Sequence, residues 1–222
     1  MSDALLQLSD FSLERGDRVL FDHFSLQLVA GEIVQLAGAN GTGKTSLMRS
    51  LVGLLQPQKA TISWRGQEVF SANAYSDEIL YLGHKPAVRF QLTPLENLRW
   101  YANLQSGQVD KRRDSDLMSS LKSLGLEGYE DEPCSQLSAG QKRRVGLARM
   151  AISKARLWVL DEPFTAVDVH GVKLLCEWIK AFAQQGGTVL FTTHQKVQFG
   201  EVLPRVVDLD ALDTLSRKGA LV

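Results

Sequence analysis

Gly38-Ala39-Asn40-Gly41-Thr42-Gly43-Lys44-Thr45 decides the fold. The stretch fits G-x-x-x-x-G-K-[ST], the spacing of a loop that wraps the phosphates of a nucleotide. Gly38, Gly41 and Gly43 permit a path with positive φ, so that backbone N–H groups point inward. The following helix turns its positive N-terminal end toward the anion. In this pattern Lys44 reaches the β- and γ-phosphates and the Thr45 hydroxyl holds Mg2+. A chain of ordinary composition matches by accident about once in a hundred, so context decides. Glu32 to Ala37 reads as a buried strand before the loop, and Lys44 to Leu55 as a helix after it. That helix would place Leu47, Leu51, Leu54 and Leu55 on one face.

Outward from the loop, short strand-like pieces alternate with turns: Leu5–Leu8, Phe11–Leu13, Phe24–Val29 and Ile33–Ala37. Residues 60–70 predict a hairpin turning at Arg65-Gly66. Together they predict an antiparallel sheet beside the phosphate-binding core. From about residue 88 to 153 the texture is helical. Thr93-Pro94-Leu95-Glu96 is a helix start, with Thr at the N-cap, Pro at the first helical position and Glu in the capping-box place. Residues 112–124 set Leu117, Met118, Leu121 and Leu124 on one stripe, and Asp110-Lys111-Arg112-Arg113-Asp114 reads as solvated surface. Leu157–Leu160 and Thr188–Thr193 read as buried strands around a helix with Val172, Leu175, Trp178, Ile179 and Phe182 inward, ended by Gly186-Gly187. Strand–helix–strand repetition implies a parallel sheet covered by helices. The last dozen residues carry no pattern.

The chain has 222 residues, 44% of them apolar, with 25 Lys+Arg against 25 Asp+Glu. This fits one domain with a sizeable core. A net charge of zero argues against bulk nucleic-acid binding. Cys134 and Cys176 are too few for a disulfide framework and fit a reducing compartment. No run approaches the roughly 18–20 apolar residues of a membrane span, and Met1 to Leu6 lacks the marks of a signal peptide. If the protein works at a membrane, another polypeptide is expected to carry the span.

Asp161-Glu162 follows the apolar strand Leu157–Leu160. Ligands of open parallel sheets sit beyond the strand C-termini, where the phosphate loop also begins. Asp161 is therefore a candidate Mg2+ ligand, and Glu162 a candidate general base for an attacking water. Leu137-Ser138-Ala139-Gly140-Gln141 opens a helix through Arg149. Ser138 is a plausible N-cap, and residue physics alone leaves open an ordinary capped helix or an anion site.

Leu137–Gln141 closely resembles the L-S-G-G-Q signature of ATP-binding-cassette ATPases, with Ala139 a mild departure. Phe164-Thr165-Ala166-Val167-Asp168 is similar to that family's D-loop, and His194 to its switch histidine. The four motifs occur in the family's order and span almost the whole chain. The resemblance implies an α/β fold over residues 1–222. It would have a phosphate-loop core with a parallel sheet, an N-terminal antiparallel β subdomain and an inserted helical subdomain at approximately 86–153. It implies ATP and Mg2+, and a head-to-tail dimer. Each ATP would meet the loop Gly38–Thr45 (Ala39, Asn40 and Thr42 included), Asp161, Glu162 and His194 of one copy, and Ser138, Gly140 and Gln141 of the other. Glu162, His194 and Lys44 would be catalytic, Thr45 and Asp161 would hold the metal, and Asp168 would lie at the dimer seam.

Two positions depart from the family. Its coupling glutamine is replaced by His84, a poor match for Mg2+ where oxygen is expected; the resemblance leaves His84 a coupling role. The adenine-stacking aromatic is replaced by Arg15, whose guanidinium can stack on a base or simply be solvated. Tyr81 to Pro86, Leu92 to Leu98, Phe164 to Val169 and Thr192-Thr193-His194-Gln195 resemble the cytochrome c biogenesis branch of the family. This resemblance implies a place on the cytoplasmic face of a bacterial inner membrane, bound to integral membrane subunits of a cytochrome c maturation complex. ATP hydrolysis would there serve release of a haem-loaded periplasmic chaperone. Alternatives are another small transporter ATPase, a soluble cassette acting on ribosomes or DNA, and a nucleotide-gated module with little turnover.

Overall fold

The computed structural model describes residues 4–106 and 114–211. Strands β1 (Ala4–Arg15), β2 (Arg18–Val29), β4 (Lys59–Trp64) and β5 (Gln67–Val69) form an antiparallel sheet in the order β2-β1-β4-β5. Strands β3 (Ile33–Ala37), β6 (Ile79–Leu82), β7 (Leu157–Leu160), β8 (Thr188–Thr192) and β9 (Arg205–Asp208) form a second sheet, β6-β7-β8-β3-β9, with every pair parallel. The helices are α1 (Lys44–Leu51), α2 (Pro94–Ser106), α3 (Asp114–Ser123), α4 (Ala139–Ile152) and α5 (Val169–Gln184). No helix among the described residues is long and apolar enough to cross a membrane.

The parallel sheet is the middle layer. All residues of β7 and β8 are buried, as expected of strands covered on both faces. Their alternation splits the core in two. Leu157, Val159 and Leu190 face α1 (Leu47, Met48, Leu51) and the antiparallel sheet. Trp158, Leu160, Val189 and Phe191 face α5 and the helices α2 to α4. Trp158 stacks on Phe182 of α5 at 3.9 Å between ring centres.

The α/β class, the parallel sheet, the antiparallel sheet and the 65–66 hairpin turn are as the sequence predicts. Thr93 and Glu96 form the predicted capping box: Thr93 N–H donates to Glu96 Oε2 (2.9 Å), and Glu96 N–H to Thr93 Oγ1 (3.2 Å). Several local expectations are corrected. The two pieces Leu5–Leu8 and Phe11–Leu13 are one strand. A bulge at Asp10 (φ 54°) shifts the register between Leu8 and Phe11, so the buried face passes from even to odd positions. Helix α1 stops at Leu51 rather than Leu55, because Gly53 (φ 74°) reverses the chain and its neighbour Leu54 N–H turns back to Arg49 O (2.8 Å). Leu54 is consequently exposed. In α3, Leu117 and Leu121 are buried and Leu124 follows them inward, while Met118 sits on the exposed side of the stripe. The charged run 110–114 lies outside the described residues except Asp114, which pairs with Arg99 at 2.6 Å. Strand β9 went unpredicted; it is a short edge strand with only Val207 buried.

Candidate active site

The phosphate loop leaves the end of β3 and enters α1. Gly38, Gly41 and Gly43 all have positive φ (135°, 84° and 103°), as the motif requires. Gly43 is also a point of close approach: a Cβ there would lie 2.6 Å from the Phe21 ring. Gly43 is the N-cap of α1, and no side chain caps that end. The first-turn amides therefore face outward for an anion. Lys44 Nζ donates to the carbonyls of Gly38 (2.6 Å) and Ala39 (2.8 Å), holding the ammonium at the mouth of the loop. Thr42 Oγ1 donates to Ala39 O (3.0 Å), and Ala39 N–H donates to Asp210 Oδ2 (2.7 Å), which ties the loop's first turn to the chain just past the end of β9.

Across from the loop, the end of β7 carries the acidic pair Asp161-Glu162 and the end of β8 carries Thr192 and His194. Thr45 Oγ1 donates to Asp161 Oδ2 (2.9 Å), and Thr192 Oγ1 donates to Asp161 Oδ1 (2.9 Å). Asp161 is 3% exposed, so these hydroxyls take the place of water. The same Thr192 oxygen accepts the Glu162 N–H (3.0 Å). Glu162 itself has φ 53°, a conformation that costs a non-glycine residue about 1–3 kcal/mol and persists only where neighbours enforce it. Its carbonyl accepts from Arg143 Nη2 (2.7 Å). Its carboxylate is 17% exposed and lies 3.5 Å from His194 Nε2, whose side chain is 57% exposed. Burial holds the Arg143 guanidinium below its ordinary pKa. Burial, then the charge of Asp161, raises the Tyr81 phenol.

Part of this set lines one open cavity of about 540 Å3, whereas Gly38, Ala39, Thr42, Tyr81, Arg143, Thr192 and Asp210 do not line it. Of the expected site residues it gathers Arg15, Asn40, Gly41, Gly43, Lys44, Thr45, Asp161, Glu162 and His194, and it adds Arg18. Arg15, Arg18 and Lys44 give it a cationic wall facing two carboxylates. The Thr45 hydroxyl and Asp161 carboxylate are adjacent hard oxygen donors, a set that fits Mg2+ shared with substrate phosphates.

Ser138, Gly140, Gln141, Asp168 and His84 do not line this cavity. Ser138 and Gln141 make a reciprocal cap, with Ser138 N–H to Gln141 Oε1 (2.9 Å) and Gln141 N–H to Ser138 Oγ (3.2 Å). A Cβ at Gly140 would lie 3.7 Å from Ala166 O, so this turn abuts the 164–168 loop of its own chain. Asp168 caps α5 through Gly171 N–H (2.8 Å). His84 is exposed, and its carbonyl accepts from Arg143 Nη1 (3.2 Å). Sequence reasoning missed Arg18, Arg143, Thr192 and Asp210. Thr192 and Arg143 stood inside or beside motifs already noted, but nothing local marked their contacts.

Residues 21–165 match the ABC transporter family. The chain is 44% identical over 192 residues to the "Cytochrome c biogenesis ATP-binding export protein CcmA" of Vibrio parahaemolyticus, covering 86% of this chain and 92% of the relative. It is 43% identical over 209 residues to the protein of the same name from Escherichia coli K12, covering 92% and 96%. Among solved structures, an ATP-binding subunit of an ABC transporter is 26% identical with a TM-score of 0.76, covering 86% of this chain and 79% of that one. The ATP-binding cassette MJ0796, solved as a dimer in a post-hydrolysis state with ADP and Pi, is 21% identical with a TM-score of 0.76. It covers 91% of this chain and 93% of its own length and shares the fold.

Proposed function

The chain belongs to the ABC transporter family of ATPases, and from that membership we propose that it is the ATP-hydrolysing subunit of a bacterial cytochrome c biogenesis complex. The observation that carries the chemistry is the convergence of Lys44, Thr45, Asp161, Glu162 and His194 on one cavity. The reaction is ATP + H2O to ADP + phosphate. The loop amides and Lys44 bind the β- and γ-phosphates; Lys44 gives up its carbonyl partners to do so. Thr45 and Asp161 hold Mg2+, which neutralises phosphate charge when bound. Glu162 orients the attacking water and takes its proton, and His194 steadies the γ-phosphate from the other side of that carboxylate. Arg15, on the cavity rim, stacks on adenine.

The turn Ser138–Gln141, exposed at Ser138 and Ala139, does not line the chain's own cavity. In a head-to-tail pair it closes over the ATP of the other copy, with Asp168 at the seam. ATP binding closes the pair and hydrolysis reopens it. The segment about 86–153 acts as a helical subdomain that moves against the core. The chain works peripherally at the cytoplasmic face of the inner membrane, where integral membrane subunits contact His84 and the stretch after Pro86. Turnover there drives release of a haem-loaded periplasmic chaperone. Nucleic acid is no partner, in keeping with the balanced charge.

The test is purification of the tagged chain with its native membrane complex in detergent, followed by mass spectrometry and ATPase assay. Membrane subunits of cytochrome c maturation are expected. A sugar or metal permease in their place would overturn the assignment.

A further inference from the structure

Arg143 is a buried cation whose hydrogen bonds go to backbone carbonyls of two different loops. Nη1 donates to Gly83 O (2.6 Å) and His84 O (3.2 Å), at the end of β6. Nη2 donates to Asp161 O (3.2 Å) and Glu162 O (2.7 Å), at the end of β7. The residue is 7% exposed, and a guanidinium buried in this way is costly unless its donors are filled. The planar fork fills them by bridging.

Three features make this bridge more than packing. The two loops already touch, because Asp161 N–H donates to Leu82 O (2.8 Å). The helix that supplies Arg143 lies directly on the 83–87 segment: a Cβ added at Gly146 would lie 3.8 Å from Pro86. Glu162 holds a left-handed backbone, and its carbonyl is fixed by Arg143 while its N–H is fixed by Thr192. A shift of the 83–84 loop therefore pulls on the same guanidinium that sets the carbonyl of Glu162.

We infer that Arg143 is a positioning residue that links the 83–84 loop to the catalytic turn, so that movement at either one is felt at the other. A lysine at this position keeps the charge but loses the fork, and it satisfies one pair of carbonyls rather than both. The inference rests on the reading of the 83–84 loop as the partner-facing segment. Nucleotide-driven exchange tests the link itself without any partner.

The experiment compares the parent chain, Arg143→Lys and Arg143→Gln by hydrogen–deuterium exchange of segment 79–88, with and without ATP and Mg2+. ATP affinity and steady-state turnover are measured alongside. In the parent, exchange in 79–88 should change on binding ATP. In Arg143→Lys, ATP affinity should stay within about threefold, kcat should fall at least tenfold, and exchange in 79–88 should no longer respond to nucleotide. Parent-like response and kcat in both variants would overturn the linkage. So would failure of both to fold, since Arg143 would then be only a structural tie. A parent complex whose turnover ignores its membrane partner, with the exchange response intact, would instead count against the partner-facing reading.

Discussion

His194 Nε2 lies 3.5 Å from Glu162 Oε1, and both line the cavity beside the phosphate loop. The pair sets a carboxylate that can accept a proton beside an imidazole that can donate a hydrogen bond, both on the lining of that cavity. Glu162→Gln keeps the shape and removes the base. It should bind ATP as the parent does, lose at least about 100-fold in kcat, and accumulate as an ATP-bound dimer on size-exclusion chromatography. Parent-like turnover would remove Glu162 from the role of base.

Thr192→Val is nearly isosteric but leaves Asp161 Oδ1 and Glu162 N–H without their shared partner. A loss of about 1–3 kcal/mol in stability is expected, with kcat down about tenfold, which corresponds to about 1.4 kcal/mol in the barrier. Thr192→Ser should restore both. Chemical denaturation and steady-state kinetics on the three proteins check this.

Lys44→Ala removes a cation held by the carbonyls of Gly38 and Ala39. The fold should survive, while ATP affinity falls about 100-fold, or about 2.7 kcal/mol. Equilibrium binding of a fluorescent ATP analogue measures it.

Gly43→Ala places a methyl 2.6 Å from the Phe21 ring and strains a backbone at φ 103°. The expected cost is about 1–3 kcal/mol, visible in the urea midpoint, together with weakened ATP binding because the loop must shift.

Cys134 and Cys176 are buried, and burial raises both thiol pKa values above the ordinary one. At neutral pH both stay protonated, so iodoacetamide should leave the folded chain unlabelled and modify both residues in urea. Fast labelling of either residue in the folded protein would contradict this burial.

The sequence by itself determined what short-range chemistry encodes. The glycine spacing of Gly38–Thr45 carried the loop, the all-apolar run 157–160 and the β-branched and aromatic run 188–192 carried the central strands, and the Thr93–Glu96 cap carried a helix start. These signals depend on φ preferences and on side-chain period, both set within a few residues. The same locality misled where one residue changed the phase: the bulge at Asp10 split one strand into two readings, and Gly53 cut α1 short of Leu54 and Leu55. What only the tertiary structure decided is how the carboxylates of Asp161 and Glu162 are held. Thr192 lies 31 residues from Asp161 and meets it because β7 and β8 are neighbours in the sheet. Arg143 lies 60 residues from Gly83 and bridges to the Asp161-Glu162 turn because β6 and β7 end side by side beneath α4. Asp210 reaches Ala39 over 171 residues because β9 pairs with β3. Hydrogen bonds of this kind depend on strand order, which no local preference specifies.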